Sequence, residues 1–530
     1  MIDKIYFKTP TLKKYYNLVT NKSSNSFSLK LNEIKKGQQV EEISVILKFS
    51  SPIAQYRSPQ YTWEKIKKRE ISINYHSPKI IVLDDGTHVI SSRNIGAWVI
   101  KDSYTIEWLL RSPTLTPFFQ YNKTGGRVFN TLFNTENFDL ELLFTKGEVP
   151  EFSRSKIPFK PIICFTDHCD FDDNDKLNKQ LHFFKENGVT VSKGFFLNHF
   201  SKRKENSSYE RDSELIKRFD QNGHELFYHA LSQSLREKQD SIQEFKDFTP
   251  PPELTVRTYV DHGYQVYNFT KRQETGLTDS QWANIMERKG IQNLWTYLDS
   301  GTAMNGIINQ LNPSHFSLGR VIKFNGFNLK LITRTQLFFC GREDMLLKYR
   351  KIAQLAKQVI SKKTTKKIVT LLINISYVIN FMIRSIIFDR KKAFKYATHS
   401  PFVFEAIIEG KTFHLFQTVE VTNFEDTFSP RNIDLLIKES GAIIAHCYFA
   451  SPLAHQKGKL FQEGEISPKN QSNFKYLKEK IESNDVWNPT ISELINFSKE
   501  ITDLKFYWDN EKQKIQVNNL NVPIRYIQYV

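Results

Sequence analysis

Two patterns of apolar and polar positions divide the chain near residue 150. Before that point SVILKFSSP (44–52), EISINYHSP (70–78), KIIVLDDGTHVIS (79–91) and AWVIKDSYTIEWLL (97–110) alternate or run apolar between Pro, Gly, Asp and Asn signals. That is the signature of strands and turns, and Asp85–Gly86 suits a hairpin turn. From Lys160 short apolar runs alternate with helical stretches. The runs are KPIICFT (160–166), GVTVSKGFFL (188–197), ELFYHAL (225–231), LTVRTYV (254–260), GIQNLWTYL (290–298), KLITRTQLFF (330–339), FHLFQTVEV (413–421) and GAIIAHCYF (441–449). Helices are expected over 175–187, 210–222 and 432–440. Repeated strand-then-helix units predict an α/β fold, a parallel barrel or an open sheet. The expected division is a β-rich accessory domain over 1–150, an α/β domain over 151–510 and a C-terminal tail or strand over 511–530. Trp98 and Trp108 could stack on sugar rings, but tryptophans in such a strand pattern belong more often to a core.

One segment, 343–398, breaks the alternation. Between Lys348 and Lys395 there are thirteen Lys and Arg against the single acid Asp389, so a local charge of +12 accounts for most of the chain's +17. Residues 368–388 are long enough to cross a bilayer. They include Asn374, Ser376, Asn380, Arg384 and Ser385, which fall on one half of a helical wheel. Leu371, Leu372, Ile375, Val378, Ile379, Met382, Ile383 and Ile386 fill the other half. A basic amphipathic helical insertion, flanked by Lys362, Lys363, Lys366, Lys367 and Arg390–Lys392, suits an anionic membrane surface. A soluble insertion packed on the barrel is the competing reading. Nucleic acid is not expected, because the basic run lacks interleaved aromatic platforms.

The four cysteines, Cys164, Cys169, Cys340 and Cys447, show no paired spacing, which speaks for a reducing compartment and against disulfides or a zinc ribbon. The N-terminus has no apolar signal-type core. A cytoplasmic protein, peripheral on the inner membrane face, is therefore expected.

Ligand-type side chains gather where the apolar runs end: Asp167, His168, Asp170, Asp172 and Asp173 after the first, then His229, Asp261 and His262, while His446 lies within its own run. The ends of parallel strands are where α/β active sites lie. Asp172 and Asp173 equally suit the start of a helix.

Four segments stand in a telling order: FTDHCDFD (165–172), NGHELFYHALSQS (222–234), VRTYVDHG (256–263) and GAIIAHCYF (441–449). With VWNPTISEL (486–494) closing the domain, this resembles the polysaccharide deacetylase (NodB-homology, carbohydrate esterase family 4) superfamily over roughly residues 155–500. The resemblance implies a distorted (β/α)7-type barrel and removal of acetyl groups from an acetylated glycan by a bound divalent metal, zinc first among them. It implies Asp170 and His229 as metal ligands, with Gln233 at the register of the family's second ligand histidine. The registers of the family's base hold Cys169 and His168. Asp167, slightly earlier, is the chemically better base, so the base is Asp167 or His168. The third ligand is His262 or His168. His446 stands where the family places its general acid, Asp299 would tune it, and Arg257 matches the arginine that orients the base.

The chemistry asks for these residue types independently of the name. A divalent metal held by His and carboxylate makes a nucleophile of water at neutral pH. A nearby base takes its proton, and an acid opposite protonates the leaving amine. Two other readings stay open: a non-catalytic glycan-binding or scaffold barrel for surface-polysaccharide synthesis, which Gln233 would favour, and a glycoside hydrolase using Asp167 and Asp172 as paired carboxylates.

Overall fold

The computed structural model describes residues 2–8, 18–31, 42–66, 71–117, 119–121, 127–129, 138–263, 265–341, 343–362, 365–453, 458–519 and 521–529. Within the N-terminal region two antiparallel sheets face each other. One is built from Ile2–Lys8, Ile43–Phe49, Thr105–Arg111, Ala97–Asp102 and Ile71–Ile73 in that spatial order. The other has seven strands and is centred on Phe138–Thr145, His88–Ser91 and Ile80–Leu83. Alternation supplies the core between them: Val45, Leu47, Ile81, Leu142, Trp98 and Trp108 share one buried cluster. Trp98 and Trp108 are cross-strand partners, edge to face at 5.7 Å, and both are buried, so neither is a sugar platform. The expected hairpin turn forms at Asp85–Gly86, where Gly86 has φ +81° and the Asp85 carboxylate accepts from Thr87 N.

Seven parallel strands then close on themselves. We label them β1 (Ile162–Asp167), β2 (Ser192–Phe195), β3 (Glu225–His229), β4 (Thr258–Val260), β5 (Asn293–Ala303), β6 (Lys411–Val421) and β7 (Ala442–Cys447). Each pairs with the next in sequence, and β7 pairs with β1 from Ile162↔Ala442 to Asp167↔Cys447. An extra strand, Val403–Ile408, runs antiparallel on the outside of β6. Helices Asn174–Glu186, Tyr209–Gln221 and Pro430–Lys438 form where the 3.6-residue pattern predicts them. Asp173 caps the first, accepting from Lys176 N at 2.9 Å.

Both faces of these strands are buried, and residue parity separates them. Ile162, Cys164, Phe227, Val260, Trp295 and Ile444 fill the barrel interior with Leu494 and Ile495. Ile163, Phe165, Tyr228, Tyr259, Ile443 and Ala445 belong to the larger core beneath the helices. The barrel floor is plugged by Glu225, whose carboxylate accepts from Ser192 Oγ, Thr258 Oγ1, Ser492 N and Ser492 Oγ.

The segment 330–339, expected as a strand, is instead helical: Leu329–Thr335 runs into Gln336–Cys340. Asn328 starts that helix by accepting from Leu331 N at 3.1 Å, and the barrel closes without it. The insertion that follows is a helical hairpin, Glu343–Lys362 and Thr365–Arg384, the second continuing through Ser385–Asp389. Lys363 lies outside the described residues. At the far end of the chain Ile524–Ile527 pairs with Val149–Phe152, and Glu151 joins Arg57 and Arg525, tying the C-terminus to the linker between the two domains.

Candidate functional site

The parity that builds the barrel also builds the site. Two residues beyond Thr166 on β1 stands His168. His229 is two beyond Phe227 on β3, His262 two beyond Val260 on β4, and His446 two beyond Ile444 on β7. All four histidines therefore leave the same face of the sheet at the same end of the barrel.

There, donor atoms from three residues converge. His229 Nε2 lies 3.2 Å from Asp170 Oδ2, His262 Nδ1 lies 3.3 Å from Asp170 Oδ1, and the two imidazole nitrogens lie 3.2 Å apart. The other ring nitrogen of His262 donates to the backbone carbonyl of Gln233 at 2.9 Å. That bond fixes the tautomer and turns a lone pair on Nδ1 toward the cluster. The loop carrying His262 is held by Asp261, which accepts from Phe269 N and from the N–H and hydroxyl of Thr270. Ligands at about 2.0–2.1 Å around a tetrahedral cation stand about 3.3 Å from one another. A single proton between these atoms satisfies two of them, whereas a cation satisfies all three. Two imidazoles and a carboxylate are the donor set that zinc takes at catalytic centres, so the residues present fit the metal. His168 joins the margin of the cluster: a ring nitrogen of His168, an Asp170 oxygen and a His229 nitrogen all lie within 4.8 Å of one another. Both triplets share Asp170 and His229, and in the one with His262 the ligand atoms lie 3.2–3.3 Å from their neighbours.

Burial works against ionisation of Asp170, but the neighbouring His262 and His229 imidazoles, with Arg203, outweigh it and hold its carboxyl far below the usual range. Burial pushes His168 well below its ordinary value, and the three surrounding histidines add to this, so His168 is neutral. His229 is also shifted down by burial, against the pull of Asp170.

His446 forms the opposite wall. Its ring stacks on His168 at 4.1 Å and meets Trp295 edge to face at 5.1 Å. Its Nδ1 faces Asp299 Oδ1 at 3.2 Å, and its Nε2 is buried with no hydrogen-bond partner. Asp299 accepts from Thr418 Oγ1 at 2.6 Å, and Thr418 in turn accepts from Trp295 Nε1 at 3.0 Å. This chain sets the imidazole in one orientation. Tyr448, 5.1 Å from the His168 ring, and Phe196, 5.1 Å from the His262 ring, complete an aromatic rim.

Four expected site residues lie elsewhere. Asp167 has the parity of Ile163 and Phe165, so it leaves β1 on the outer face; it accepts from Phe449 N and pairs with Lys193. It is no base. Asp172 pairs with the same Lys193 ammonium. With both carboxylates facing a buried lysine outside the barrel, the glycoside-hydrolase reading goes too. Gln233 spends its amide on structure, accepting from Phe200 N at 3.0 Å and donating to Ser207 O at 2.9 Å, and is not a ligand. Arg257 precedes β4 at the floor end, exposed, with its carbonyl bonded to Gln292 and Asn293, and orients nothing in the site. Lys193 escaped the sequence reading. Its signal was a lone cation inside an apolar strand, VTVSKGFFL.

No protein-family model and no curated protein matches the chain. Among solved structures, a Flavobacterium johnsoniae GH31 dextranase complexed with glucose is similar over 100% of this chain and 73% of its own, with 8% identity and a TM-score of 0.27. A mutant of that dextranase complexed with isomaltotriose is similar over 96% of this chain and 73% of its own, with 8% identity and a TM-score of 0.25.

Proposed function

We propose that this chain is a metal-dependent hydrolase that removes acetyl groups from an acetylated sugar, on a distorted (β/α)7 barrel. The observation that carries the proposal is the convergence of Asp170, His229 and His262 at mutual distances of 3.2–3.3 Å, facing an imidazole with a free nitrogen. Asp170, His229 and His262 would hold the metal, and zinc suits them. When bound, the metal lowers the pKa of a coordinated water toward neutrality and polarises the acetyl carbonyl.

The rest falls to the protein's own groups. His168, neutral and at the edge of the cluster, takes the proton of the attacking water. His446 gives a proton from Nε2 to the leaving amine, while Asp299 holds Nδ1 and stabilises the imidazolium that precedes the transfer. Trp295 and Phe196, both buried, keep bulk water from the reacting atoms, and the half-buried Tyr448 offers a face to a sugar ring.

The deciding experiment pairs metal analysis of the purified chain with acetate release from N-acetylated glycan oligomers, with and without chelator. One equivalent of metal and chelator-sensitive acetate release are expected. Sugar binding unaffected by chelator, with no metal and no acetate, would overturn the proposal in favour of a non-catalytic glycan-binding barrel.

A second result separates the acid from the metal site. His446→Ala should lower kcat by about 10²–10³-fold and leave metal content unchanged. Asp299→Asn should cost less, and its loss should fall on kcat and the pH profile rather than on KM. Loss of metal in His446→Ala would assign that histidine to the wrong role.

A further inference from the structure

The basic insertion presents its apolar side outward. Along Thr365–Arg384 and its extension, Ile368, Val369, Leu372, Ile373, Ile379, Ile383, Ile387 and Phe388 are exposed, the last two by 60% and 72%. Asn374 and Ser385 point inward and are buried, together with Val378. Of the polar half of the wheel drawn from sequence, only Asn374 and Ser385 face the protein; Ser376, Asn380 and Arg384 are exposed among the apolar residues. The stretch Lys367–Asp389 is 23 residues long and apolar enough to cross a membrane, with most of it outside the protein core.

Three further observations choose the occupant of this face. Three polar side chains along the helix bond to its own backbone: Asn374 Nδ2 donates to Thr370 O, Ser376 Oγ to Ile373 O and Ser385 Oγ to Phe381 O, at 2.7–2.9 Å. Of these, Ser376 is exposed, and its bond lowers the cost of meeting a less polar medium. Its C-terminal end carries exposed Arg384, Arg390, Lys391 and Lys392, and the whole segment has a local charge of +12. Its helical partner exposes Lys351, Gln354, Lys357 and Gln358 beside Tyr349 and Ile360, a mainly polar surface, so the hairpin as a whole is not a bundle of two spans. One apolar face, basic flanks and a polar companion helix match the interface of an anionic bilayer.

We infer that the helix Thr365–Arg384 and its extension to Asp389 lie in the surface of a membrane containing anionic lipid and dock the protein there. The docked helix is linked to the wall of the candidate site through the helix Leu329–Thr335 and its continuation to Cys340. Gln336 Nε2 donates to Met382 O at 2.8 Å, and Arg334, two residues earlier, pairs with Glu420, the register neighbour of His446 on β6. On the proposed chemistry, and resting on it for this step alone, the substrate is then a glycan carried on a membrane lipid.

The test is flotation of the full chain with vesicles of phosphatidylcholine alone or mixed with phosphatidylglycerol, which needs no catalytic readout. Wild type should float with the mixed vesicles at least about tenfold better than with the neutral ones, and less so in high salt. Ile379→Glu, Ile383→Glu and Ile387→Glu combined, all exposed positions, should abolish flotation while circular dichroism stays unchanged. Arg384→Gln with Lys391→Gln should weaken binding to the mixed vesicles by about 25-fold, each basic residue at such a surface being worth a factor of about five. Failure of wild type to float, or equal flotation of the triple variant, would overturn the inference. So would a lipid-free dimer that the triple variant dissociates, which would make a second copy the occupant. Resistance of floated protein to alkaline carbonate would overturn the surface placement in favour of a span.

Discussion

His262→Ala is expected to abolish stoichiometric metal binding and to lower acetate release by roughly 10³-fold, as much as Asp170→Asn or His229→Ala. His229 pairs in register with Val260, and His262 follows Val260 by two residues on the same face of the neighbouring strand. A histidine one strand over can therefore reach the position that the resemblance assigns to a residue four places after His229. The backbone carbonyl of Gln233 still takes part, because it holds the far nitrogen of His262 at 2.9 Å. The Gln233 side chain does not. Gln233→Ala should thus keep its metal and most activity, and lose about 1–3 kcal/mol of stability from the two backbone groups left unpaired at Phe200 and Ser207. Isothermal titration of metal-stripped protein with zinc reads both variants. Intact zinc binding in His262→Ala, or its loss in a folded Gln233→Ala, would reverse the assignment of the third ligand.

Much of this site was legible in the chain before any coordinates. The clustering of Asp170, His229, His262 and His446 at the ends of apolar runs identifies one end of a parallel barrel, and the runs themselves mark all seven of its strands. What the pattern withholds is which parity faces inward. In a barrel wrapped by helices the strand is apolar on both sides, so no alternation distinguishes Asp167 from His168. The inner face is set by long-range partners such as Trp295 and Leu494, which meet Cys164 only when the barrel closes. The same ambiguity hid Lys193. The helix over 330–339 reads as a strand for a related reason: a ten-residue run has too few turns to separate strand from buried helix by period, and the Asn328 cap decides it. The direction of the insertion's apolar face was likewise not legible, since a helical wheel gives two halves but not which one meets the protein.

Removing the buried cation behind the site should have the largest effect on stability. Lys193 sits on β2 with its ammonium bonded to Asp167, Asp172 and, at 2.9 Å, Gln180 Oε1, so each of its protons has an acceptor. Gln180 Nε2 donates in turn to Asp172 Oδ1 at 2.8 Å, and Phe449 N donates to Asp167 Oδ1 at 2.8 Å. Burial pushes the Asp172 carboxyl up to about 6, against the pull of Lys193, as two carboxylates sharing one ammonium require. Lys193→Met leaves both acids buried without a counter-charge and should destabilise the barrel by about 3–5 kcal/mol. The cost belongs to the stranded acids rather than to the lost pair. The triple variant Lys193→Met, Asp167→Asn, Asp172→Asn should therefore recover most of the loss, far from the sum of its parts. Thermal unfolding of the full chain, followed by the near-ultraviolet signal of the buried barrel tryptophans Trp282 and Trp295, distinguishes the cases. A Lys193→Met protein as stable as wild type would show that these acids are neutral in the fold. The cluster also anchors the loop that carries Asp170, because Asp172 is tied to β2 through Lys193 while Asp170 is two residues away. Positioning of Asp170, the first of the proposed ligands, is in this way built on a charge network on the opposite face of the same strand end.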